Sequence, residues 1–306
     1  MSKTQSKRRW LPGKSATARE DFWTGLLCLS PATLLALVFT AFPVLFSLYL
    51  SFHKWGILTP DKPFVGLANY QRLWHDAEFW SAMRHTLTYT VSVVVIGSAL
   101  SLLLAVMLNQ KLRGLSFFRT AYFMPVVTST VAVSVVWAWI YNPQYGLMNV
   151  LLRALGLSPS NWLVDPHWAM PAIIIMSIWK NLGYHMVIFL TGLQDIPEVL
   201  YEAARIDGAS GLDLFRHITW PLLRPTTGFV LITNTIFSFQ VFGPVYVMTK
   251  GGPMRSTTTI LYYLYQRAFE FREMGYASAI AWVLFIIILV FSLVQARYTS
   301  KGVESL

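Results

Sequence analysis

Five stretches of this chain carry no aspartate, glutamate, lysine or arginine for twenty-two residues or more: Trp23 to Phe52, Thr86 to Asn109, Thr120 to Tyr141, Pro225 to Thr249 and Met274 to Ala296. Crossing a bilayer core about 30 Å thick takes roughly 20 apolar helical residues, since lipid offers no hydrogen bond to a stray peptide group. A sixth stretch, Trp168 to Leu193, qualifies apart from Lys180 near its midpoint. The spacing therefore predicts an all-α membrane protein with six transmembrane helices. The first run is too long for the core of a signal peptide and is expected to remain as a helix.

Charge placement supports this division and orients it. Only 12% of the 306 residues are charged, 55% are hydrophobic, and the formal net charge is +10. The basic residues sit in short segments between the apolar runs and form no continuous stripe, so a nucleic-acid partner is not expected. Counted over alternate loops, fourteen lysines and arginines fall on the side of the two termini and nine on the other. That excess predicts both termini in the cytoplasm and a multi-pass protein of the cell membrane. Trp10, Trp23, Trp55, Trp74 and Trp80 flank the first two spans as interfacial anchors. The organisation expected is a basic tail over 1–22, a membrane domain over 23–298 and a short tail over 299–306. Cys28 is the one cysteine, so no disulfide or cysteine metal site forms within the chain.

Between the fourth and fifth spans, residues 195–221 encode two short helices. Pro197 suits a first helical position and Glu198 the positive end of the helix dipole. Gly208 supplies the backbone freedom that ends the first helix. Ser210 and Asp213 have the spacing of a capping box for the second, and Pro221 is expected to stop it. Val199, Ala203 and Ile206 share a face of the first helix, Leu212 and Phe215 one of the second. Such a hairpin either packs under its own bundle or offers an apolar face to a groove on a partner.

The loop reads Glu202-Ala203-Ala204, three residues, Gly208, nine residues, Ile218, one residue, Trp220 and Pro221. This spelling resembles the signature loop of binding-protein-dependent ABC importer permeases, with Trp220 at a position where that family usually has leucine. Phe64-Val65-Gly66-Leu67-Ala68-Asn69-Tyr70 and Gly251-Gly252-Pro253 followed by Ser256-Thr257-Thr258-Thr259 are similar to segments of its maltose-type and glycerol-3-phosphate-type members, specifically the first of the two permeases such systems pair. The resemblance spans about Pro43 to Tyr298. It implies a type I importer permease fold whose loop seats on an ATPase through Glu202, Ala203, Ala204, Gly208, Ile218 and Pro221. It also implies a second homologous permease, two ATPase subunits that hold ATP and magnesium, and an extracytoplasmic solute-binding protein. No cofactor, metal or catalytic residue is expected on this chain.

A sugar path needs aromatic planes and polar groups near the midplane. Aligned on the resemblance, the sugar-contacting positions fall on Trp179, Leu182, Gly183 and Met186 of the fourth span and on Asn234, Phe237, Ser238 and Val241 of the fifth. The same polar groups could instead join helices of the two permeases. Lys180 lies about 20 Å from either end of its span, too deep to snorkel, and should meet the solute or an acceptor on the partner subunit. The solute expected is a di- or oligosaccharide, with glycerol-3-phosphate or a glycerophosphodiester as the alternative. A stand-alone channel or secondary transporter would leave the Glu202 loop without a purpose. Gly13-Lys14-Ser15 lacks the preceding glycine and strand of a phosphate loop.

Overall fold

In the computed structural model, residues 16–56, 58, 61–110 and 114–300 are described. The amino tail to Ser15, with Gly13-Lys14-Ser15, and the carboxyl tail from Lys301 lie outside them, as do three residues of the loop after the second span. The described residues are predominantly helical and contain no strand. Five helices are long and apolar enough to cross a membrane: Phe22–Ser51, Ala77–Leu108, Ala169–Gln194, Arg224–Met248 and Met274–Tyr298. Leu115–Val127 and Thr130–Ile140, bent by 100° against each other, pass the same test only as a pair and make a sixth crossing if taken as one broken span.

That bend corrects the expectation of one continuous third span. The segment Pro125-Val126-Val127-Thr128-Ser129-Thr130-Val131 combines a proline, which cannot donate to the helical ladder, with β-branched residues that lose side-chain freedom in a helix. Thr128 and Ser129 take extended backbone, with ψ of 142° and 130°. The Thr128 hydroxyl turns back to the Met124 carbonyl at 3.2 Å. The fifth span is interrupted as well: a helix over Arg224–Phe239 gives way to three residues and restarts at Gly243–Met248, with Pro244 in the first turn. The two interruptions touch. A β-carbon on Gly243 would stand 3.4 Å from the Thr130 methyl.

The fourth span is the centre of the bundle, burying Ile173, Met176, Met186 and Phe189 on its way through. Gly183 lets it approach the third span closely, since a β-carbon there would lie 2.0 Å from the Tyr122 carbonyl oxygen. The first span is the least enclosed: Leu27, Leu34, Phe39 and Leu45 are exposed. It contacts the sixth span near its end, where Trp282 donates to Ser47 at 3.1 Å. Replacing Gly183 by alanine should force the third and fourth spans apart and cost about 1–3 kcal/mol. A clearly lowered thermal midpoint in detergent is the expected reading.

Candidate functional site: a helical hairpin and two broken spans

The hairpin forms with the caps its residues encode. Its first helix runs Glu198–Ile206, one residue later than expected, because Pro197 has extended ψ of 128° and serves as the cap. The helix closes in a Schellman arrangement: Gly208, at φ +85°, donates to the Arg205 carbonyl at 3.1 Å, and Ala209 to that of Ala204 at 2.9 Å. Ser210 then opens the second helix with both bonds of the capping box in place. The Ser210 hydroxyl and amide hold the Asp213 carboxyl below its ordinary range.

Pro221 does not end the second helix, which corrects the expectation. The chain stays helical from Gly211 to Leu222 by widening into a π turn over Phe215–Thr219. The wider turn accommodates a proline that lacks an amide proton, and the helix is interrupted only at Leu223.

One side of the hairpin faces away from the bundle. Ile206 is 87% exposed, Val199 and Leu212 are strongly exposed, and Glu202, Ala203 and Gly208 lie on the same open surface, with Ala204 half-buried. The other side is anchored. Tyr201 and Ile218 pack on Leu108, Met186, Leu193 and Leu223, and the Tyr201 and Thr219 hydroxyls bond at 3.0 Å. Ile218 and the half-buried Pro221 therefore lie at the root, not on the open face with Glu202. Tyr201, which joins the two helices, was missed in the sequence; its only signal was an aromatic ring placed opposite the exposed apolar face. A cavity of about 700 Å³ separates the hairpin root from the ends of the second and third spans, lined by Asn109, Arg119, Asp195, Glu198 and Arg205 among others.

The eight proposed solute positions do not form one surface within this chain. Trp179 is 45% exposed and its ring lies 5.4 Å from that of Trp137. Phe237 is 64% exposed and Leu182 half-buried. The other five turn into the chain's own bundle. Gly183 meets Tyr122 and Met186 joins the hairpin-root cluster. Asn234 donates to Ser98 at 3.2 Å, Ser238 donates to Asn234 at 3.3 Å, and Val241 packs with Tyr89 and Ile178. Three-and-four spacing groups Asn234, Phe237 and Ser238 correctly, but Phe237 lies about 60° to one flank on a helix of 3.6 residues per turn. That flank is the exposed one.

Lys180 finds an acceptor within its own chain. It is 8% exposed, and its ammonium donates a long bond of 3.5 Å to the Val126 carbonyl. Val126 belongs to the last turn of Leu115–Val127, where carbonyls are left without intrahelical donors. The lysine thus complements the negative end of a helix broken inside the membrane.

At the end remote from the hairpin, the two further sequence segments act as clamps. Asn69 donates to the Ser51 and His53 carbonyls at 2.8 and 3.1 Å, and Tyr70 to the Ser51 hydroxyl at 2.8 Å. Gly251 has φ +79° and room for no side chain against Thr258 and Tyr262. Thr257 donates to the Gly252 carbonyl at 2.7 Å, and Thr259 to that of Val241 at 3.1 Å. A polar network joins the same ends: Asp76 accepts from Tyr263 and Tyr276. Arg267 donates to Tyr263, Glu78 and Glu273, and Arg72 grips Glu273 at 2.8 and 2.9 Å.

Residues 97–301 match the family described as binding-protein-dependent transport system inner membrane component. The chain belongs to that family. It is a permease subunit of an ATP-binding-cassette importer. The trehalose/maltose transport system permease of Thermococcus litoralis is 38% identical over 273 residues, covering 89% of this chain and 92% of that one. The lactose transport system permease of Rhizobium radiobacter is 39% identical, over 89% and 92%. Among solved structures, a chain of a bacterial ABC transporter that imports the acidic polysaccharide alginate superposes with a TM-score of 0.83. It is 24% identical and covers 93% of this chain and 98% of that one, which establishes the same permease fold.

Burial alone would raise the Asp76 carboxyl, but hydrogen bonds from Tyr263, Tyr276 and the Phe79 and Glu78 amides hold it below its ordinary value of 3.8. A carboxylate with a lowered native pKa contributes stability that is present above the unfolded value and is lost as pH falls through the native one. The wild-type permease should lose thermal stability as pH drops below about 4, and Asp76→Asn should start lower and respond less over that window. Melting curves across an acid series in detergent provide the check.

Proposed function

We propose that this permease translocates a di- or oligosaccharide delivered by an extracytoplasmic binding protein, driven by two partner ATPases that seat on the 195–221 hairpin. In this reading both termini and the hairpin are cytoplasmic. A second homologous permease completes the pore. The observation that carries the coupling role is the hairpin's two-sided construction: an open face with Glu202, Val199 and Ile206, and a root packed on the fourth-span residues Met186 and Leu193. An apolar face outside the bilayer needs a partner groove, and a rigid root passes the partner's movement to the bundle.

The path itself is supported by the two broken spans. Irregular backbone at membrane depth is tolerated where it is buried in protein or lines water. Thr128, Ser129 and Gln240 are exposed in this chain, so they face the second permease or the aqueous path. Aromatic Trp179 and Phe237 are available to the same path. A saccharide is favoured by the relatives, two of which are named for trehalose, maltose or lactose transport.

The test uses the assembled importer with its binding protein in proteoliposomes. Neutral saccharides should stimulate its ATPase, while glycerol-3-phosphate should not; the reverse pattern removes the sugar reading. Glu202→Ala, and Gly208→Pro, which cannot adopt φ +85°, should abolish most uptake while leaving a folded bundle by melting curve. Wild-type uptake in both variants would remove the coupling role.

A further inference from the structure

Beyond the fifth-span break, five aromatic rings interlock. Phe242 lies 5.3 Å from Tyr246 and 5.2 Å from Tyr265, Tyr246 lies 5.5 Å from Tyr265, and Tyr265 lies 5.3 Å from Phe269. Buried Tyr262 is their floor and packs with Val241 and Val245. The strip is open at the top: Phe269 is 56% exposed and Tyr246 also reaches the surface. Polar groups edge it. Half-buried Gln266, next to Tyr265, donates to one carboxylate oxygen of exposed Glu270, one turn on, at 3.1 Å.

An aromatic belt at the membrane surface would account for rings alone. It does not account for a carboxylate and an amide set beside them. A pyranose ring requires that pairing: its C–H face lies on an aromatic plane, and its hydroxyls donate to a carboxylate and exchange bonds with an amide. Position agrees with the chemistry. Phe242 directly follows Val241, and the strip begins where the fifth span breaks against Thr130, on the side from which solute enters in the proposed orientation.

We propose that Phe242, Tyr246, Tyr265, Phe269, Gln266 and Glu270 form an outer saccharide subsite. It holds one ring of an oligosaccharide while a neighbouring ring reaches the path between the broken spans. This inference rests on the saccharide reading above. Because the subsite lies outward of the path, it matters for long solutes and little for short ones.

The test compares uptake of neutral tetrasaccharides and disaccharides by the assembled importer, for wild type, Glu270→Gln and Phe269→Leu. Both variants should lower the tetrasaccharide-to-disaccharide ratio, roughly tenfold if one stacked and hydrogen-bonded ring is lost. Since the ratio is taken within each variant, poor folding or assembly cancels. A ratio unchanged in both variants overturns the subsite, as does a wild-type importer that takes up disaccharides but no tetrasaccharide; in either case the saccharide reading stands. A wild-type importer stimulated by no neutral saccharide overturns both.

Discussion

Inside a bilayer each peptide group has to find its hydrogen bond within the protein, and this permease leaves two helices unfinished at the point where they touch. The third span stops at Val127 and turns through 100°; the fifth stops at Phe239 and restarts at Gly243 beside Thr130. The surrounding structure depends on making those ends tolerable. Thr128 covers one carbonyl with its own hydroxyl, and Lys180 reaches another from the fourth span. Gly183 brings the fourth span within contact of the Tyr122 backbone. What remains open, at Thr128, Ser129 and Gln240, is backbone for which water or a second permease is the natural neighbour.

The two ends of the molecule are built differently. Far from the hairpin, Asp76, Arg267, Arg72 and Glu273 tie the second and sixth spans to the segment between the fifth and sixth, and Asn69 fixes the exit of the first span. At the hairpin, cohesion is apolar, with Tyr201 and Ile218 set on Met186 and Leu193. A polar clamp at the far end and an apolar root at the hairpin suit a bundle that rocks as rigid pieces about its middle, where the helices are already broken. The apolar first span is largely uncovered by its own chain.

Local features were legible in the sequence because their causes are local. Charge-free length located the crossings. The Schellman turn at Gly208 and the capping box at Ser210 and Asp213 followed from residue type and spacing. Features arising from contact across the chain were not legible. Asp76 meets Tyr263 and Tyr276 across nearly two hundred residues, and Lys180 finds its acceptor only because the third span ends where it does. The break was written in Pro125 and the β-branched run after it, yet hydropathy, which measures length and not continuity, concealed it. Which of the proposed solute positions turn outward was hidden for a related reason: helical spacing groups Asn234, Phe237 and Ser238 but does not say which flank the neighbouring helices leave open.

The central claim is that movement of the hairpin and rearrangement of the broken spans are one event. Spin labels at exposed Ile206 and exposed Trp139 report on the hairpin and on the far half of the third span. Pulsed dipolar spectroscopy on the assembled importer, with and without ATP, measures the distance between them. The account expects that distance to shift by several ångströms when ATP binds, on the scale of domain rocking. A distance distribution unchanged by ATP, in an importer that still hydrolyses it and transports, would contradict the account.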